Sequence, residues 1–154
     1  MRYTVQIAEL KVVNLPDIIL CLGLGSCLAV CLYDTVRKSA GVVHALLPSS
    51  NGMSSEPGKF VDRAINRLLE DMRNSGSRAS DVVTKLVGGA NIFHFVNSPT
   101  IGERNIESAK RLLTRLGIPI VAEDVGGNYG RSIEFFSTTG EVFVKSGLRM
   151  LKVL

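Results

Sequence analysis

Residues 18–34 constrain the fold more than any other part of the chain, because they join two apolar runs through a glycine-rich turn. The runs, rich in Ile, Leu and Val, are typical of strands that are buried on both faces of a sheet. The turn contains Gly23, Gly25 and Ser26, and Cys27 follows it directly. Glycines leave no side chain to block a substrate, so the turn predicts an active-site loop with Cys27 as candidate nucleophile.

A buried, inert thiol is the alternative interpretation of each cysteine, since free cysteine is among the most buried residue types. Cys21 and Cys31 fit this alternative, because leucine, isoleucine or valine flanks them, whereas Cys27 fits it least well. The cysteine count is odd, and Cys27 and Cys31 would lie too far apart on one strand to form a disulfide. The sequence therefore predicts a reduced, cytoplasmic protein.

A histidine lies on the next apolar run, residues 40–47, and a polar segment before it predicts a hairpin with residues 28–33. If Tyr33 pairs with Ala40, then Ala29 lies opposite His44. Cys27 is then a diagonal neighbour of His44 on the same face, about 7–8 Å away at the backbone. A register slip of one residue would instead put the two side chains on opposite faces.

Cysteine beside histidine suits nucleophilic attack on a carbonyl carbon, because the imidazole can take the proton of the thiol. The alternative for His44 is a neutral core histidine. A zinc site built from Cys21, Cys27, Cys31 and His44 is disfavoured because their spacing matches no standard pair of ligand pairs. Gly23 and Gly25 also lack the third glycine and the following helix of a dinucleotide fingerprint.

Composition narrows the function classes further. A length of 154 residues predicts one domain, residues 1–154, with a real core. The net charge of +4 would favour an acidic protein partner or weak nonspecific attraction to nucleic acid. The basic residues are spread along the chain and no nucleic-acid motif accompanies them, so they are interpreted as solvated surface. Residues 18–33 are too short and too interrupted by glycine to span a membrane, and acidic residues before them argue against a signal peptide.

Two helices among about eight strands predict an α+β fold. Apolar residues recur at helical spacing in residues 60–72 and 101–116, and a glycine follows each segment. Residues 48–58 predict a loop that is either a substrate-contacting lid or a plain connection. The glycine pair Gly88 and Gly89 can either bind an oxyanion or allow close packing. The expected strands are residues 3–13, 18–22, 28–33, 42–47, 82–87, 118–122, 133–136 and 142–145.

Several ordered blocks together resemble the signature of the CheD family, the chemoreceptor glutamine deamidases of bacterial and archaeal chemotaxis. The likeness covers nearly the whole chain. The blocks are Gly23-Leu-Gly-Ser-Cys27, Tyr33-Asp34, Gly41 to His44, Leu47-Pro48, Pro57-Gly58-Lys59, Gly88-Gly89-Ala90, Ile101-Gly102-Glu103-Arg104-Asn105, Ala122-Glu123-Asp124, Gly126-Gly127-Asn128 and Arg131-Ser132.

The resemblance implies a cysteine hydrolase with mixed β-sheet layers and two outer helices, related in fold to deamidating toxins, with no cofactor. It implies Cys27 as nucleophile and His44 as base. The family's third active-site position, usually threonine, is Cys21 here, and a thiol makes weaker hydrogen bonds than a hydroxyl. We therefore expect activity with a looser orienting partner.

The expected substrates are glutamines on the cytoplasmic helices of methyl-accepting chemoreceptors, and glutamyl methyl esters present the same carbonyl. By resemblance, a CheC-type phosphatase is a further partner. The alternative function is an adaptor that binds receptors and the phosphatase with little catalysis of its own. A third hypothesis, a thiol-based redox sensor, predicts reversible oxidation of Cys27.

Overall fold

The chain folds into two β-sheets and two α-helices within residues 1–50 and 56–154, the part that the computed structural model describes. A 3₁₀ turn, Ala79–Asp81, precedes the sixth strand. In chain order the elements are β1 (Arg2–Thr4), β2 (Leu10–Asn14), β3 (Ile18–Leu24), β4 (Leu28–Asp34), β5 (Ser39–Ala45), α1 (Val61–Asn74), β6 (Val82–Gly88), α2 (Ile101–Leu116), β7 (Ile120–Val125), β8 (Arg131–Phe136), β9 (Val142–Ser146) and β10 (Arg149–Val153).

The two sheets pack face to face. We call β2-β5-β4-β6-β7 the central sheet and β1-β3-β8-β9-β10 the outer sheet. Each sheet is mixed, since β6 and β7 pair in parallel in one and β1 and β3 in the other, whereas the remaining neighbours are antiparallel. The predicted α+β class, with mixed sheets and two outer helices, is confirmed.

Both helices pack on the central sheet, opposite the outer sheet. Their apolar stripes, including Leu68 of α1 and Leu113 of α2, share a core with Leu28, Val30 and Leu32 of β4. The Oγ1 atom of Thr100 accepts a hydrogen bond from the third residue of α2, which satisfies a free N–H group at the helix start. The predicted bounds of α2 are confirmed at both ends.

The second core lies between the sheets, where Cys21 of β3 and Cys27, Ala29 and Cys31 of the β4 segment meet. Every residue of β4 is buried, which confirms its predicted burial on both faces. The same prediction for β3 is wrong: its alternate residues are buried, but Leu22 is 57% exposed. The outer sheet has one face against the core and one face against solvent, so β3 follows the alternating pattern of such a sheet.

The first predicted strand, residues 3–13, is also wrong, because the chain there forms two strands in different sheets. β1 pairs with β3, while β2 pairs with β5. Between them the backbone N–H of Gln6 donates to the carboxylate of Glu9, and Ala8 has a φ of 68°. This local turn moves the chain from the outer to the central sheet, and alternation of side chains carries no signal for it.

Two further differences concern the second half of the chain. β7 begins at Ile120, two residues later than predicted, since the backbone N–H of Ile118 still donates to Leu113 at the end of α2. The C-terminal segment, which the sequence left unassigned, forms β10 at the edge of the outer sheet. The predicted loop 48–58 falls partly on residues 51–55, which lie outside the described residues.

Candidate active site

The nucleophile candidate lies where the chain crosses from the outer sheet to the central sheet. β3 ends at Leu24 and β4 begins at Leu28, so Cys27 is the last residue of the crossing. Gly23 has a φ of 68° at an irregularity in the β3–β8 pairing, a conformation that glycine adopts without strain. The backbone carbonyl of Cys27 accepts a hydrogen bond of 2.8 Å from Gly89, which fixes the end of the crossing against β6.

The base candidate, His44, lies on β5, next to β4. The backbone of His44 pairs with Ala29, and Tyr33 pairs with Ala40, so the predicted hairpin register is confirmed. Cys27 lies two residues before Ala29 and therefore faces the same side of the sheet as His44, as a diagonal neighbour. Both side chains therefore lie on the face of the central sheet that meets the inter-sheet core.

A cleft of about 370 Å³ opens at this point. One wall is the crossing with Cys27, and another is the start of α2. The segment that follows β6 forms the rim: the side chain of Asn91 both donates to and accepts from the backbone of Phe95, which closes a compact loop. Gly25, Ser26, Cys27, Asn91, Ile92 and Phe95 are among its lining residues.

The cleft rim is apolar and accessible. Phe93, Phe95 and Val96 are all exposed, although they are large hydrophobic side chains that proteins usually bury. Contiguous exposed apolar residues beside a cleft are typical of a binding surface. His94 lies in the same segment but is not among the lining residues of the cleft.

Burial makes the candidate pair electrically neutral. It raises the pKa of the Cys27 thiol, and a hydrogen bond from the thiol's own backbone N–H partly opposes the rise. It lowers the pKa of His44, and the backbone carbonyl of Val5 partly opposes the fall. At neutral pH the arrangement is therefore a thiol beside a neutral imidazole that is able to accept a proton.

Cys21 faces the inter-sheet core from β3, where it is fully buried and burial raises its pKa to about 12. Neither ring nitrogen of His44 makes a hydrogen bond with any described residue, so Cys21 does not hold the imidazole in this way. The carbonyl of Val5 makes no hydrogen bond of ordinary geometry with the ring, but it lies near enough to raise the pKa of His44 against the effect of burial. Nothing in the sequence around Val5 signals this contact, because the residue enters through its backbone.

Gly88, the last residue of β6, and Gly89 allow close packing of the backbone. The backbone N–H of Gly89 donates to Cys27, and that of Ala90 donates to Gly25. A Cβ atom on Gly88 would overlap the carbonyl oxygen of Cys27. Of the two functions that the sequence left open, the geometry supports packing, since the N–H groups of residues 89 and 90 are already used within the chain.

The second glycine turn supports the rim of the cleft. Asn91 donates its backbone N–H to Gly127, and Gly126 donates to Gly88. Arg131, which is buried, forms an ion pair with Asp124 and donates to the carbonyl of Gly126. The turn at residues 126–127 and the loop at residues 91–95 are therefore held together by hydrogen bonds.

All three cysteines are free. Within residues 1–50 and 56–154, no three His, Cys, Asp or Glu side chains are grouped so that they could hold a metal ion. In the same part of the chain, neither helix has the length and apolar character that crossing a bilayer requires.

Comparisons with known proteins agree on one family. The model of the family described as CheD chemotactic sensory transduction matches residues 46–146. A protein of Caldanaerobacter subterraneus subsp. tengcongensis, named probable chemoreceptor glutamine deamidase CheD, is 47% identical over 147 residues, which cover 92% of this chain and 91% of that protein. The chemoreceptor glutamine deamidase CheD of Thermotoga maritima is 39% identical over 94% of this chain and 92% of its own length.

Among solved structures, the hypothetical protein YfiH of Bacillus licheniformis is similar with a TM-score of 0.44 and 21% identity. That likeness covers 69% of this chain and 45% of the other. The matched range of the family model begins after Cys27 and His44, whereas the two named relatives align over more than nine-tenths of the chain.

Proposed function

This chain belongs to the CheD family, and we propose on that basis that it hydrolyses the side-chain amide of chemoreceptor glutamines to glutamate, with Cys27 as nucleophile and His44 as base. The observation that carries the assignment of residues is the β4–β5 register, in which Ala29 pairs with His44. That register puts the thiol and the imidazole on one face of the central sheet. Cys27 lines an open cleft, and His44 lies buried behind it.

Attack begins from the neutral pair. His44 takes the thiol proton as the Cys27 sulfur bonds to the amide carbon of the substrate glutamine. The imidazolium then gives that proton to the departing ammonia, which leaves a thioester on Cys27. His44 next takes a proton from water as the water oxygen attacks the thioester, and release of the thiol, reprotonated from His44, leaves glutamate.

The negative oxygen that forms in each step needs a hydrogen-bond donor. The N–H groups of Gly89 and Ala90 are engaged elsewhere, so they do not serve. The backbone N–H of Cys27 belongs to the nucleophile itself and lies near its sulfur, and therefore near the attacked carbon. We assign it as one oxyanion donor, and removal of one such donor typically costs about 3–4 kcal/mol of transition-state stabilisation.

Glutamyl methyl esters fit the same mechanism, because the attacked carbonyl is the same and methanol leaves more readily than ammonia. The apolar rim at Phe93, Phe95 and Val96 supports a protein substrate, since a small polar amide does not need such a surface. In this proposal the rim contacts the receptor helix around the glutamine that enters the cleft.

An adaptor function is the second candidate, and the same rim supports it. Exposed apolar side chains around the cleft suit a CheC-type phosphatase as well as a receptor. The neutral thiol and the ring of His44, which lacks a hydrogen bond to the described residues, also suit a chain with little catalysis of its own.

One experiment separates the two. A receptor cytoplasmic fragment is incubated with wild-type protein or with Cys27→Ala, and ammonia release is measured together with the masses of the receptor peptides. We expect glutamine to become glutamate with the wild type alone, while both proteins bind the fragment. Binding without conversion by the wild type would overturn the deamidase proposal in favour of the adaptor.

A further inference from the structure

Asn105 lies on α2 with no exposed surface, and its side chain joins the two segments that carry the candidate catalytic pair. The Nδ2 atom donates to the carbonyl of Ser26 at 2.9 Å and to the carbonyl of Leu46 at 3.1 Å. Ser26 directly precedes Cys27, and Leu46 follows His44 by two residues. One amide group thus links the segment before Cys27 to the segment that follows β5, the strand of His44.

The bridge lies where the backbone pairing ends. Leu28 and Ala45 form the terminal pair of the β4–β5 ladder, one step short of Cys27 and Leu46. Beyond this pair the two segments form no further ladder pairs, and the two hydrogen bonds of the Asn105 amide link them instead. The spacing between Cys27 and the histidine strand therefore depends on this side chain.

Helix α2 is held firmly enough to carry such a bridge. The Oγ1 atom of Thr100 accepts from the backbone of Glu103 at the helix start. One turn before Asn105, Gly102 packs so closely on Gly89 that a Cβ atom would overlap its carbonyl oxygen. The backbone of Gly89 in turn donates to the carbonyl of Cys27.

The hydrogen bonds of the Asn105 side chain come from its nitrogen and not from its oxygen. Its Oδ1 atom is buried and has no hydrogen-bond partner among the described residues, which by itself disfavours folding. Both polar contacts of the side chain come from Nδ2. A buried polar group with one unsatisfied end indicates that the satisfied end serves a purpose that an apolar side chain could not serve.

We propose that Asn105 is a positioning residue, which sets the approach of Cys27 to His44 by tying Ser26 to Leu46. This inference rests on the proposed function, since it takes Cys27 and His44 as the reacting pair. It assigns a role to a residue of α2, a helix that contains neither Cys27 nor His44. A displacement of about 1 Å between reacting groups can cost about a hundredfold in rate, so a two-bond bridge at this point has a measurable effect.

The test is a double-mutant cycle on the reactivity of Cys27, which needs no receptor. The rate of alkylation by iodoacetamide is measured across pH for the wild type, His44→Gln, Asn105→Leu and the double variant. Cys21 and Cys31 are almost fully buried, so the signal reports Cys27, and Cys27→Ala supplies the blank. Asn105→Asp is a second single variant that keeps the side-chain shape but removes both donors.

We expect His44→Gln to slow alkylation about tenfold in the wild-type background, and to have little effect once Asn105 is replaced, because the pair is then already separated. In deamidation, kcat should fall about a hundredfold in Asn105→Leu while KM for the receptor fragment stays the same. Leu113→Val is the matched control: it lowers stability from the core face of the same helix and should leave the effect of His44→Gln unchanged.

The outcomes distinguish failure of the proposed function from failure of the positioning role of Asn105. If His44→Gln leaves alkylation unchanged in the wild-type background, the Cys27–His44 pair of the proposed function is wrong. If His44→Gln slows alkylation by the same factor with and without Asn105, the pair stands and the positioning role is overturned. Loss of kcat in step with the unfolded fraction, in both Asn105 variants and in Leu113→Val, would also overturn it.

Discussion

Gly88 packs against the carbonyl of Cys27 so closely that a methyl group on its Cα would overlap the carbonyl oxygen. Its φ of 116° adds a second constraint, because L-residues rarely adopt that conformation. The last residue of β6 thus sets how close Cys27 lies to the central sheet.

Gly88→Ala should therefore displace Cys27 as well as strain the backbone. We expect the free energy of unfolding to fall by about 1–3 kcal/mol and kcat to fall further than the unfolded fraction explains. Urea denaturation and deamidation are measured on the same samples. Gly147→Ala is the control, since Gly147 also has a positive φ but open space around its Cα. Equal loss of activity in both variants would contradict the packing argument.

The apolar rim leads to a prediction about substrate size. Phe95→Asp should raise KM for a receptor fragment about tenfold, because a central aromatic contact of an interface typically contributes 1 kcal/mol or more. The rate of Cys27 alkylation by a small reagent should not change. Val36→Asp is matched in exposure, 68% against 66% for Phe95, and lies in the turn at the far end of β4. An equal effect of the two variants on KM would mean that charge alone weakens receptor binding.

The fold was predictable where apolar residues recur on one face of a helix or strand. The stripes of α1 and α2 follow from apolar periodicity. The β4–β5 register does not, since both strands are buried throughout, and the pairing of Tyr33 with Ala40 was a condition that the structure then confirmed. Periodicity does not say which sheet a strand joins, so residues 3–13 were predicted as one strand although β1 and β2 separate.

For the candidate site, Cys27 could be proposed from the sequence because it follows a glycine-rich turn, and His44 because it is a titratable side chain on an otherwise apolar run. The supporting groups were not visible. Val5 acts on His44 through its backbone carbonyl, and Asn105 is one polar residue among many on α2. Their contribution comes from tertiary contacts, which no local pattern encodes. Asn105 lies in one of the blocks that resemble the CheD family, residues 101–105, but the resemblance implied no role for it.

The unusual residue at position 21 can be tested with two variants of nearly equal shape. We expect Cys21→Thr to be at least as active as the wild type, because a hydroxyl that reaches His44 would orient the ring better than a thiol. Cys21→Val has the same shape without the hydroxyl and should be no more active than the wild type. Because position 21 is fully buried, Cys21→Thr should also lose about 1–3 kcal/mol of stability if its hydroxyl finds no partner. Lower activity of Cys21→Thr with normal folding would contradict an orienting role at this position.

Burial of His44 predicts how stability depends on pH. Because burial lowers its pKa in the folded state, the unfolded chain binds a proton below about pH 6.5 while the folded chain does not. The stabilisation is therefore fully present above that pH, and it is lost as the pH falls from about 6.5 towards the folded pKa, by at most about 1.4 kcal/mol per pH unit. Urea midpoints between pH 8 and about pH 5 cover this window, above the range in which the carboxylates of Asp34 and Glu134, with lowered pKa values, take up protons.

His44→Gln should flatten that dependence, whereas His94→Gln, at an exposed position, should keep it. Deamidation should persist below pH 6.5 for the same reason, because the base stays neutral until the pH reaches its lowered pKa. If the wild type and His44→Gln lost stability in parallel as the pH fell, some other group would be responsible. His44 would then not be the buried, neutral base that the mechanism requires.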